Sequence, residues 1–173
     1  NRYVYTLNNP YKYVDPDGKF LKFAPGSSPQ FKQQFKEVVD YLNKGKVSGI
    51  IAKLHSRPEV VLVKESSEKN EFYYNPNNRT IVFDPLSGLE TTEGKVQTPA
   101  LGVLHEAAHA LEDLTDPDQF TKDVNTEVPA YHTNEERRVI DTIETPSAKK
   151  LGEPIRMNHG GIPKQVACPT CKE

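Results

Sequence analysis

With 173 residues and 35% hydrophobic content, the chain can bury one core of ordinary size and little more, so a single folded domain is the bound. Its 22 basic and 24 acidic residues are interspersed and leave a net charge of −2, so nothing in the composition points to a surface for nucleic acid or for a membrane. No apolar run reaches the length of a membrane span or of a signal-peptide core.

Residues 1–20 alternate tyrosine with polar residues and break at NNP and at DPDG, the pattern of short strands separated by turns. Arg2, Tyr3, Tyr5, Leu7, Asn8, Asn9, Pro10, Tyr13, Asp15, Pro16 and Gly18 stand in a fixed order here. That order resembles the segment that closes the β-strand cocoon of RHS/YD-repeat proteins. The resemblance implies that residues 1–19 are the end of an RHS core with its linker, that self-cleavage falls in the region of Asp15 and Gly18, and that a variable C-terminal toxin follows.

Further on, residues 29–44 carry Phe31, Phe35, Val38, Val39 and Leu42 at helical spacing and end before Gly45, so they form a packing helix. A shorter helix is expected over 47–55. From 59 the period shortens. Residues 59–66, 71–75 and 80–85 are rich in β-branched and aromatic side chains and predict three strands, the last two joined as a hairpin through PNNR. Residues 85–97 are polar and are expected to be a loop.

Residues 98–114, TPALGVLHEAAHALEDL, begin with a capping threonine and a proline at the first helical position. Leu101, Leu104, Ala108 and Leu111 follow the helical period and give this helix a buried stripe. His105 and His109 are four residues apart, so both imidazoles leave one side and can grip one metal ion. Glu106 lies about 100° round the helix, placed to move a proton rather than to ligate. Two imidazoles and a carboxylate with an open fourth position suit Zn2+. Asp116-Pro117 should stop the helix.

A third ligand must come from beyond that stop, because Glu112 and Thr115 occupy the positions where a compact three-histidine motif needs glycine and histidine. Residues 133–144 predict a second helix. On it Glu136 shares a face with Val139, Ile140 and Ile143 and is the favoured ligand; Glu135, set toward Arg138 and solvent, is the alternative, with His132, His159 and Asp113 behind them. Thr133 and Glu136 also match a capping box, which would tie that carboxylate to the backbone. Asp113 fits an outer hydrogen bond to an imidazole or a solvated position.

Residues 144–165 read as a glycine- and proline-rich loop able to cross a cleft. There Arg156 is a candidate substrate anchor, and His159 or Tyr131 a candidate catalytic group that stabilises an oxyanion. Cys168 and Cys171 form a lone CPTC pair, and residues 165–173 are expected to be a flexible, solvated tail.

The ordered set His105, Glu106, His109, Glu135, Glu136, Arg138, Glu144, Leu151, Gly152, Pro154 and Arg156 resembles bacterial effector metallopeptidases delivered into other cells, among them RHS-linked toxins. The resemblance implies an α+β, zincin-like, gluzincin-type domain over 20–164, with a small mixed or antiparallel sheet packed on the active-site helix. It also implies a secreted zinc endopeptidase that enters the target-cell cytoplasm and cleaves a protein there. The implied partners are that substrate, the upstream RHS core and, as a candidate, an immunity protein, with neither nucleic acid nor membrane. Two alternatives stand beside it: a non-catalytic module stabilised by metal, and a zinc-dependent hydrolase of a non-peptide amide.

Overall fold

The computed structural model describes residues 21–172; Asp15, Gly18 and the rest of the RHS-like segment lie outside the described residues. The architecture is α+β. A mixed four-stranded sheet has the order β1-β2-β4-β3, built from β1 (Leu21–Phe23), β2 (Val61–Glu65), β3 (Phe72–Asn75) and β4 (Thr80–Phe83). The first three neighbours run parallel. Strand β3 runs antiparallel to β4 and forms an edge, with Asn75 opposite Thr80 across the expected hairpin.

Two helices follow β1 in sequence, α1 (Pro29–Lys44) and α2 (Gly49–His55). Ser28 caps α1, and the predicted apolar face of Phe31, Phe35, Val38, Val39 and Leu42 is buried. Phe31 and Phe35 reach Phe83 of β4 with ring centroids 5.1 Å and 6.1 Å apart. Full burial of each such side chain stabilises the fold by roughly 1.5–3 kcal/mol.

The long helix α3 (Pro99–Thr115) belongs to the same apolar cluster through Ala100, Leu101, Val103, Leu104, Ala107 and Ala110. Its first turn is heavily tied. Thr98 Oγ1 accepts the Leu101 N–H, the Ala100 N–H donates to the Pro169 carbonyl at 2.9 Å, and the buried carboxylate of Glu153 accepts from both the Thr98 N–H and its hydroxyl. The donors a helix normally leaves orphaned are thus satisfied by segments far along the chain.

Where a loop is expected over 85–97, the chain forms β5 (Ser87–Glu90) and β6 (Val96–Gln97). With β9 (Ile162–Gln165) they make a second, antiparallel sheet of order β6-β5-β9. Asp116-Pro117 ends α3 as expected, but Asp116 also caps a new helix, α4 (Pro117–Val124), by accepting the Gln119 N–H. Proline at the first position of a helix costs no hydrogen bond, so one residue pair closes one helix and opens the next. A short ladder between β7 (Glu127–Val128) and β8 (His132–Thr133) then leads into α5 (Asn134–Val139).

Helix α5 continues through a π-helical segment, Ile140–Glu144, into α6 (Thr145–Leu151), which ends at Gly152 with φ 62°. The expected loop therefore begins only at 152. Pro146 supplies the physical reason for the widened turn: it has no N–H for the Thr142 carbonyl and its ring crowds that group, and the Thr145 N–H bonds back to Ile140. Nor is 165–172 a solvated tail. Val166 is buried, Cys168 and Cys171 are joined as a disulfide, and Lys172 donates to the Leu151 and Gly152 carbonyls.

Candidate metal centre

Helix α3 brings His105 and Glu106 to the inner wall of a cleft with His109 one turn further on, all three less than one-tenth exposed. Each imidazole is oriented by a buried carboxylate from the second helix. His105 Nδ1–H donates to Glu144 Oε2 at 2.8 Å and His109 Nδ1–H donates to Glu135 Oε1 at 2.9 Å. With each Nδ1–H so engaged, the two Nε2 atoms face one another where the rings converge, and neutral rings would offer both lone pairs to an ion there. Both carboxylates are held in turn by arginines: Arg156 forks onto Glu144 at 2.8 Å and 2.7 Å, and Arg138 onto Glu135 at 2.7 Å and 2.6 Å.

The two Nε2 atoms are 3.0 Å apart, and the Glu136 carboxylate bridges them at 3.0 Å from His105 and 3.4 Å from His109. His159 Nε2 lies 3.2 Å from the same carboxylate. Ligands at about 2.1 Å around a tetrahedral ion sit about 3.4 Å from one another, so these separations match a shared metal ion. His105, Glu136 and His159 could hold a metal ion, with one ligand atom of each within 4.8 Å of the others. His109 joins them through its contact with His105.

Electrostatics follow from this crowding. Burial pulls His105 down, but hydrogen bonds to Glu136 and Glu144 outweigh it and raise the imidazole above its ordinary value. His109 is likewise opposed by burial and raised to about 10 by Glu135 and Glu136. Burial works against ionisation of Glu136, Glu144 and Glu135, yet contacts with the histidines and arginines prevail. Glu136 and Glu135 are lowered, and Glu144 falls to about 2.

The π-helical segment explains how one helix serves both sides of His105. At ~100° per residue, the eight residues from Glu136 to Glu144 would leave them about 80° apart. Five residues wound with i→i+5 bonds turn roughly 82° each, which removes about 90° and returns both carboxylates to one side. Glu136 then meets Nε2 of His105 while Glu144 meets Nδ1.

Several sequence expectations are placed differently. Glu135 does not face solvent: it is fully buried on the Nδ1 side of His109, because the ring separates it from the converging Nε2 atoms. Thr133 caps α5 by accepting the Glu136 N–H, but the Glu136 carboxylate goes to the histidines rather than back to Thr133. Arg156 lines the cleft, yet it is buried and committed to Glu144, so it is a brace and not a free anchor for a substrate anion. Tyr131 is turned to Asp141, to which its hydroxyl donates at 3.2 Å, and does not line the cleft. Asp113 accepts from Tyr74 of the edge strand at 2.7 Å rather than from an imidazole. His132 stacks near His159 with centroids 4.6 Å apart. Glu144 at His105 and Glu153 at the start of α3 are 39 and 55 residues from their partners, a separation that leaves no local signal in the sequence. In the sequence Glu144 stands out only as a position in the spaced match.

Glu106 stands apart from the other acidic residues at the centre. It is 8% exposed, it lines the cleft, and it makes no hydrogen bond or ion pair among the described residues. The cleft holds about 250 Å³ and runs from Glu106 and His159 to Phe72, Leu89 and Pro163.

Fold and site together define an α+β domain with a buried His/Glu cluster that could bind a metal ion. No protein-family model, curated protein or solved structure matches the chain.

Proposed function

We propose that the protein is a zinc-dependent endopeptidase of zincin type, delivered as an RHS-associated toxin that cleaves a protein in the cytoplasm of its target cell. The observation that carries the catalytic part is Glu106. A carboxylate that is buried, unbonded and open to a cleft is costly unless it has work there, and this one adjoins two imidazoles whose Nε2 atoms converge. The spaced match that includes Glu144 and Arg156 and the RHS-like residues 2–18 support the toxin part.

His105, His109 and Glu136 would hold the ion. When bound, zinc supplies a Lewis acid for a peptide carbonyl and lowers the pKa of a neighbouring water. Glu106 takes the proton of the attacking water and returns it to the departing amide nitrogen. His159, one-third exposed on the loop after α6, faces the same carboxylate and can donate to the developing oxyanion. Glu144 and Glu135 keep the ligand nitrogens aimed and the arginines neutralise their charge.

A second reading has its own observation. His159 Nε2, at 3.2 Å from Glu136, is placed to serve as a fourth protein ligand, and a centre closed in that way is structural. The deciding experiment expresses the full chain and its Glu106→Gln variant in target cells, with metal analysis of both and a proteome-wide search for new N-termini. Toxicity and new termini confined to the wild type, with about one zinc in each protein, are the result expected. Equal behaviour of two zinc-loaded proteins would replace the peptidase with a metal-stabilised binding module.

A further inference from the structure

The polar groups that line the cleft are nearly all engaged inside the protein. Gln97 donates to Glu144 and to the Pro154 carbonyl, the Thr98 hydroxyl donates to Glu153, and Ser87 donates to Asn70. Beside Glu106, His159 and the exposed Asn70 amide, what remains open to a ligand is apolar: Phe72 from the edge strand β3, Leu89 from β5 and Pro163 from β9. Two glycines set those walls. A Cβ on Gly102, one turn before Glu106, would come within 2.8 Å of the Phe72 ring, and a Cβ on Gly161 within 2.6 Å of Leu89 Cδ1. The ring therefore lies directly on the active helix and the leucine directly on the loop that follows His159.

We infer that the space between Phe72 and Leu89 is a side-chain pocket that takes one large apolar residue of the substrate, next to the bond under attack. The inference rests on the peptidase reading for the polypeptide nature of the substrate, whereas the chemistry of the pocket follows from its walls. A polar side chain entering between Phe72 and Leu89 would give up its water and find Gln97, Thr98 and Ser87 already paired, while an apolar one would cover Phe72, Leu89 and Pro163. At about 250 Å³ the cleft admits a residue of leucine or phenylalanine size with its backbone.

Two measurements test this on the full chain. In the first, 13C-methyl spectra of the Glu106→Gln protein are followed while N-acetyl-leucinamide and, separately, N-acetyl-asparaginamide are added. Saturable shifts of the Leu89 methyls at a concentration at least tenfold lower for the leucine amide are expected. Equal response, or none, overturns the pocket. In the second, a denatured-protein digest by the wild type is read by mass spectrometry for residues flanking each cut. Enrichment of Leu, Phe, Ile or Met at one flanking position is expected, moving to Asp and Glu in Leu89→Lys, a substitution at a half-buried site that leaves the core intact. Glu106-dependent cuts without enrichment, or with enrichment untouched by Leu89→Lys, overturn the pocket and leave the peptidase standing. Absence of cutting together with leucinamide binding at Leu89 overturns the peptidase and leaves the pocket.

Discussion

His105 Nδ1 sits 2.8 Å from Glu144 Oε2, and that carboxylate is in turn forked by Arg156, so a ring on one helix is held through an ion pair that spans the next two segments. Both charges are buried. Removing one partner strands the other, which costs about 3–5 kcal/mol. Glu144→Gln should therefore lower the urea midpoint sharply, and the double variant Glu144→Gln/Arg156→Met should be less destabilised than the single one. A double variant that loses the full sum of the two single losses would show that the pair acts independently.

Glu106→Gln should leave the fold and the metal content intact while hydrolysis drops by ~10²–10⁴-fold, the usual contribution of a general base. His109→Ala should lose the ion as well, because it removes a converging Nε2. Metal analysis beside a thermal melt separates the two. Loss of metal from the Glu106 variant would mean that this carboxylate is a ligand.

Stability of the metal-free protein should depend on pH from both directions. His109 is raised from its ordinary 6.5 to about 10, so its contribution is complete below 6.5 and disappears as pH climbs through 10. Glu144 is lowered from 4.5 to about 2, so its contribution is complete above 4.5 and disappears as pH falls through 2. The two are jointly complete between 4.5 and 6.5. Urea titrations of chelator-treated protein should place maximal stability in that window, and zinc uptake at pH 7 should release protons, measurable by calorimetry in buffers of different ionisation enthalpy. An optimum above pH 8 would contradict the protonated cluster.

Pro146→Ala restores an N–H to a helix interior and should help the local winding while harming the centre. If α-helical winding replaces the π-helical segment, Glu136 and Glu144 separate and metal affinity should fall by at least ~10-fold, as it does when outer partners are lost. Competition with a chelator reads this directly. Unchanged affinity would show that packing, not proline, keeps the segment wide.

Much of the centre could be read from the sequence because its signals are local. Thr98, Pro99 and the spacing of His105, Glu106 and His109 mark α3 within 17 residues, and Phe31 to Leu42 mark the face of α1 in the same way. Features that depend on distant pairing were hidden. Strand β5 is four mostly small or polar residues, and its first half, Ser87 and Gly88, is paired only by the distant β9, at Gln165 and Lys164. Glu144 was hidden by geometry, since straight α-helical winding turns it away from Glu136. Glu135 beside Arg138 looked like a solvated pair, because nothing in the sequence shows that His109 packs over it. The packed end of the chain was hidden too, as a carbonyl that caps α3 from Pro169 leaves no trace in residue type.

Order of synthesis gives the division of labour between the two helices a further meaning. His105 leaves the ribosome 51 residues before Arg156, a delay of roughly 2–10 s at 5–20 residues per second. The bridging carboxylate of Glu136 follows His105 by 31 residues and the Glu144 carboxylate by 39, so the imidazoles gain their partners one after another and the centre is fully braced only once Arg156 has emerged.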